Sequence, residues 1–269
     1  MNKINIALHI ILIWTLLGSG QLQAQEKTIS HVGEQWLQYN NLTHISEKWD
    51  LFANAGGRWK DGFEKFAILF GRIGAGFSPN DKIRLATGFT YVEFYSEGNR
   101  YQVELRPYEE LLLRGNVFKL RLSHRFRFEQ RFYNPVIDGS IQSDNRFALR
   151  FRYALMTGFT LFKLSKTNPD SKFVLNISDE VMINAGRDVV YNVFDKNRFI
   201  ISPTLQLNKW VSVAVAWNNQ FASTKTAGHY VLTNALWVHL SHTINLSKKE
   251  TEDLQKDFPQ PPSSNGLQQ

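Results

Sequence analysis

The chain has no cysteine among its 269 residues. That excludes a disulfide framework, a thiolate metal site and a cysteine nucleophile. Long apolar runs are also missing. A membrane-spanning helix needs roughly 20 consecutive apolar residues, and only the N-terminus comes near. Mean hydropathy is −0.31 and the hydrophobic share is an ordinary 43%. Aromatics, by contrast, reach 13%, with 20 Phe, 9 Tyr and 7 Trp. Membrane β-barrels combine these features, because half of each strand faces a polar interior and aromatic girdles mark both interfaces. The formal charge of +7 would also suit nucleic-acid binding, but an export signal takes the chain away from nucleic acid, and no such partner is expected.

That signal lies at the start. Met1–Asn5 carries Lys3, a mostly apolar run covers Ile6–Leu17, Gly18-Ser19-Gly20 breaks it, and Ala24 precedes Gln25. This order reads as a secretory signal peptide cleaved after Ala24, although Leu22 is large for its position. An uncleaved anchor is the alternative, but the run is short for a span. No cysteine follows, so a lipoprotein is excluded.

From Gln35 to Leu246 the chain reads as successive strands. In Phe118–Phe132 the even positions are Phe118, Leu120, Leu122, His124, Phe126, Phe128, Gln130 and Phe132, and the odd ones are Lys119, Arg121, Ser123, Arg125, Arg127, Glu129 and Arg131. Period two over about 15 residues marks a strand with one apolar and one charged face. Globular strands average about five or six residues, whereas a tilted membrane strand needs about nine to eleven. Segments 146–161, 173–184, 211–221 and 232–246 alternate in the same way, while 36–45, 49–60, 65–77, 82–96 and 101–114 are noisier. Short connections at 46–48, 78–82, 115–117 and 208–209 alternate with longer ones at 61–64, 96–100, 133–145, 186–196 and 223–229; 163–172 breaks the rule. Outer-membrane barrels keep short turns on the periplasmic side. Trp49, Phe118, Phe173 and Trp210 follow short turns, and Trp59, Tyr95, Tyr101, Phe132, Tyr133, Phe199, Phe221 and Tyr230 cluster at the other strand ends, as two interface belts would.

Eleven strands can be counted. Bacterial single-chain barrels have even numbers, so either Thr28–Gln35 hides a strand or one early strand is misread. The expectation is an all-β, antiparallel transmembrane β-barrel of about 12 strands, with ten as the alternative. It comprises a signal peptide (1–24), the barrel (25–246) and a disordered periplasmic tail (247–269) rich in Pro and Ser. A soluble β-sandwich or lipocalin-like barrel also alternates, but with its apolar face inward. Strand length, aromatic belts and the export signal favour the membrane. The partners expected are outer-membrane lipid and, at the last strand, the barrel-assembly machinery.

The run Glu104-Leu105-Arg106-Pro107-Tyr108-Glu109-Glu110, then Arg121 to Arg131 with Glu129, then Arg146 to Arg152, resembles the family known as domain of unknown function 2490. The resemblance covers roughly Glu34–Leu246. It implies a secreted outer-membrane barrel, and no catalytic residue is carried over.

If the apolar face meets lipid, the charged face lines the lumen. Arg106, Arg114, Arg121, Arg125, Arg127, Arg131, Arg146, Arg150 and Arg152 would come from three consecutive strands, opposite Glu104, Glu110, Glu129 and Glu180. Pro107 suggests a bulge, which leaves open whether Glu109 or Glu110 points inward. The structural reading is an ion-pair network filling a small barrel, where removing one partner costs several kcal/mol. A second reading is a narrow anion-preferring channel, since Arg outnumbers Glu. A third is a barrel-borne lipid hydrolase using His239 and Ser241. Those residues share a face with Cα atoms about 6–7 Å apart, but no group to orient the base is visible. A fourth is a receptor using Asn134–Arg146 and Gly186–Lys196, with Asp138, Asp144, Asp188 and Asp195. His44, His124 and His242 form no metal-ligand pattern, and no cofactor is expected. Gly74-Ala75-Gly76 precedes a turn rather than a helix, so it reads as a crowded strand, not a phosphate loop.

Overall fold

The structure, a computed structural model, describes residues 27–117, 120–143 and 146–247. The expected signal peptide, all of the expected tail but Ser247, and Phe118 and Asp144 lie outside the described residues. The described chain forms twelve strands: β1 (Thr28–His44), β2 (Trp49–Lys60), β3 (Lys65–Asn80), β4 (Ile83–Ser96), β5 (Asn99–Val117), β6 (Leu120–Ile137), β7 (Ser140–Ile141), β8 (Arg146–Lys163), β9 (Lys172–Ala185), β10 (Phe194–Gln206), β11 (Val211–Ser223) and β12 (His229–Asn245). Eleven of them close a barrel, and β7 is a two-residue hairpin strand on the end of β6. Thr28–Gln35 does form strand, but as the first half of β1.

The wall is odd-numbered because its seam is parallel. All consecutive wall strands pair antiparallel, whereas β1 and β12 run in the same direction, in unbroken register from Thr28↔His229 to His44↔Asn245. Parallel pairs are slightly less stable per residue. Here the seam compensates by length, using all 17 residues of each strand. The chain therefore enters the barrel at one end and leaves at the other.

Turn chemistry fixes the two ends. At one end, three tight turns are built alike. Ser46 Oγ accepts from the Lys48 and Trp49 amides, Asn80 Oδ1 from those of Lys82 and Ile83, and Asn208 Oδ1 from those of Trp210 and Val211. Short polar side chains mimic a backbone turn in this way. At the other end, Glu97-Gly98 and Asp138-Gly139 have positive φ at both positions, the backbone that two-residue hairpins require. The connections at 96–100 and 133–145 are therefore tighter than their spacing suggests.

Alternation then sorts the faces. Asp50, Glu104, Arg127, Glu129, Arg150, Arg152 and Glu180 are buried inside, while Leu37, Leu51, Ile73, Leu85, Phe126, Phe151, Ile183, Trp217, Leu236 and Leu240 are exposed outside. A soluble barrel has the reverse distribution. Bulky lumen side chains fit because glycines face them. Directly paired across strands are Gly56 and Phe70, Gly74 and Phe52, and Gly88 and Tyr108. A Cβ at Gly88 would stand 2.6 Å from Tyr108 Oη, and one at Gly74 would overlap the Phe52 ring and the Thr87 carbonyl. The crowding expected at Gly74-Ala75-Gly76 is thus a matter of lumen packing.

Gly71 faces open space, which provides a control. Gly74→Val should lower stability by about 1–3 kcal/mol through overpacking, and Gly71→Val should stay within about 0.5 kcal/mol, both read from urea unfolding of the refolded barrel.

Candidate functional site: the charged lumen

The charged side chains meet on the wall formed by β5, β6, β8, β9 and β10. Glu129 lies at the centre and is fully buried. It accepts from Arg150 Nε at 2.7 Å and Arg152 Nη1 at 2.6 Å, with Arg106 and Arg127 at 3.9 and 3.8 Å. Glu104, also fully buried, takes Arg131 Nε at 2.6 Å and Arg106 Nε at 2.8 Å. Glu180 takes Arg125 Nη2 at 2.6 Å and Arg152 Nε at 2.9 Å. Glu110 takes Arg127 Nε at 2.8 Å, with Arg84 and Arg125 at 3.7 and 3.8 Å.

Register explains these partners. Glu129 stands directly opposite Arg150, and Glu110 opposite Arg127. Arg127 and Arg152 also stand opposite each other, a like-charge pair that is unfavourable on its own. Each turns away to a carboxylate, Arg127 to Glu110 directly opposite it on β5, and Arg152 to Glu129 and Glu180 one rung along. An ionised carboxylate buried alone is prohibitively costly, and here none is alone.

Pro107 introduces no bulge. Leu105↔Phe132 and Tyr108↔Glu129 keep one register on either side of it. Glu110 therefore points inward, and Glu109 points outward to accept from Gln130 Nε2 at 3.1 Å. Of the thirteen expected lumen charges, ten join the network. The other three, Arg114, Arg121 and Arg146, are exposed at the barrel rims; Arg146 lies 5.9 Å from the Tyr133 ring.

The sequence reading missed several members. Asp50 binds Arg84 Nε at 2.9 Å, reaching across β3 over Gly76, where a side chain would collide with the guanidinium. Asp195, expected as a loop acid, instead binds Arg150 Nη1 at 2.9 Å. A register shift between Phe194 and Lys196 turns it inward. Tyr133, expected in an interface belt, faces the lumen with Arg131 4.8 Å over its ring. Arg58, Arg72, Lys196 and Arg198 also face inward. Extending the parity of Asp50, Asn54 and Arg58 along β2 would have found the first of these. The surplus of bases over acids persists once both sets are enlarged.

The network covers one side and leaves space beside it. A cavity of ≈450 Å³ is lined by Arg58, Arg72, Arg106, Lys196 and Arg198, and also by Gln38, Asn40, Asn54 and Trp237. A second, of ≈390 Å³, lies toward the tight-turn end and shares Asn40, Asn54, Arg72 and Arg127 with the first. His239 and Ser241 share the lumen face but are not joined. His239 stacks on Trp237 at 4.1 Å, and Ser241 Oγ accepts from Asn40 at 3.3 Å. No nucleophile–base pair is formed there.

Fold and lumen together define a class: closed β-barrels with a charged, buried interior and an apolar exterior. The chain belongs to the family described as protein of unknown function (DUF2490), which matches residues 33–231. That span runs from β1 to the start of β12 and contains every member of the charge network. The chain is also similar to an uncharacterized protein of Methylorubrum extorquens, 25% identical over 199 residues that make up 73% of this chain and 78% of the other.

Glu129→Ala should destabilise the barrel by about 3–5 kcal/mol, because it strands buried guanidinium groups. Glu109→Ala on the outer face should change stability by no more than about 0.5 kcal/mol. Parallel urea titrations of the two refolded variants compare them directly.

Proposed function

We propose that the chain is an integral outer-membrane β-barrel, exported through the signal peptide of residues 1–24, and that its Arg/Glu network is a structural brace holding the lumen. The carrying observation is the inversion of burial: carboxylates and guanidinium groups inside, large apolar side chains outside. In water such a surface would be an aggregation hazard, whereas in lipid it is the favourable one. No helix among the described residues is long and apolar enough to cross a membrane. The wall strands, 12 to 19 residues long, exceed the roughly nine to eleven residues a tilted span needs. Lipid is then the partner of the outer face, and the barrel-assembly machinery would engage β12.

Two measurements test this reading. Cell fractionation should place the processed chain in the outer membrane, with faster gel migration before boiling than after; a soluble periplasmic band would overturn the proposal. In a planar bilayer the refolded barrel should conduct almost nothing, and steady current would sink the brace as a closed element.

A narrow anion path is the second reading, favoured by the two adjoining cavities and the cation surplus. It requires Arg127→Glu to shift the reversal potential toward cations. An unchanged potential removes it.

A further inference from the structure

The larger cavity has a chemical asymmetry that bracing does not use. Three of its cations make no ion pair within 4 Å among the described residues. The Arg58 guanidinium lies 3.9 Å over the Trp36 ring, and Glu34 on the adjacent strand accepts instead from Trp36 Nε1 at 2.6 Å. Arg72 donates to the neutral Thr90 hydroxyl at 3.1 Å. Lys196 shares the field of the adjoining Asp195 carboxylate with Arg150, which bonds it at 2.9 Å. Arg198, from the opposite wall, approaches the same Trp36 ring at 5.4 Å. Cations thus converge from β2, β3 and β10 on one space. Uncompensated charge in a low-dielectric interior is unfavourable, and an anion placed among these groups would relieve it.

Among the polar residues that make up most of the lining lies an apolar patch, although it faces the lumen. Ile68 and Phe70 on β3 stand beside Val92 and Phe94 on β4, and Met156, Met182 and Ile200 line the same cavity. This patch contributes to the noisier alternation of β3 and β4. A conduit for small inorganic anions has no use for such a patch, because apolar surface resists wetting. An amphipathic ligand does: at ≈450 Å³ the cavity falls within the about 300–1,000 Å³ of small-molecule sites, and its apolar patch lies beside its cations. His239, which also lines it, has a buried Nε2 with no hydrogen-bond partner among the described residues.

We propose that this cavity is a binding chamber for a small amphipathic organic anion. Arg58, Arg72 and Lys196 hold its acid group, and Phe70, Phe94 and Met156 receive its apolar body. The second cavity, sharing Arg72 and Asn40, gives the chamber a route toward the tight-turn end. The inference rests on the lumen geometry and not on where the barrel resides.

The test is calorimetric titration of the refolded mature barrel in non-ionic detergent, with binding to empty micelles subtracted. The probes are naphthalene-2-sulfonate, the neutral naphthalene-2-sulfonamide and inorganic sulfate. The sulfonate should bind saturably, and both the sulfonamide and sulfate should bind at least about tenfold more weakly. Arg58→Gln with Arg72→Gln should weaken the sulfonate at least about tenfold while heat-modifiable migration is retained. If that double variant does not fold, Lys196→Gln provides the same comparison. Absence of saturation overturns the chamber, as does affinity indifferent to these substitutions. Sulfate binding as tightly as the sulfonate overturns the amphipathic class. A barrel that fractionates with the outer membrane yet binds no probe refutes the chamber alone, and a barrel that binds but stays soluble refutes the membrane reading alone.

Discussion

Glu129 cannot remain ionised out of water without cations, and the lumen is organised around that requirement. Two guanidinium groups bond it directly and two more stand within 4 Å. The same condition recurs at Glu104, Glu110 and Glu180, each shared by at least two arginines. Because the partners come from β5, β6, β8, β9 and β10, these bonds tie five strands together on their inner side. Desolvation of ion pairs rarely yields net stability relative to a well-packed apolar core. In this barrel most large apolar side chains face outward, and interlocked charge fills much of the interior instead.

Closure follows from backbone satisfaction rather than from side chains. An open sheet would leave two rows of unpaired amides and carbonyls, ready to pair with another chain. The β1–β12 seam removes both edges at once, and its parallel direction makes an odd strand count workable. The glycines of β2–β4 then let Phe52, Phe70, Tyr108 and Arg84 lie flat against the inner wall. Without them a barrel of this circumference would not accommodate both the rings and the charge network.

The outer and inner faces of β6 and β8 were legible in the sequence because Phe and Leu alternate strictly with Arg and Glu. β3 and β4 were not, and the reason is physical. Some of their inner residues line the apolar patch of the cavity while their outer residues form the barrel's exterior, so over that stretch both faces select the same side-chain types. Asp195 was misplaced because a single register shift reverses a face, and no local pattern announces it. Asp50 was missed because its partner Arg84 lies two strands away.

By itself, the sequence determined an all-β barrel with charges on one face, long strands and the tight turns near 46–48, 78–82 and 208–209. These are properties of period two and of individual turn residues, which are local. The parallel seam, the inward turn of Glu110 and Asp195, the pairing of Arg84 with Asp50 and the cavity bounded by unpaired cations were decided by tertiary structure. Each of these depends on register and closure between strands far apart in the chain, and inter-strand register cannot be read from any one strand.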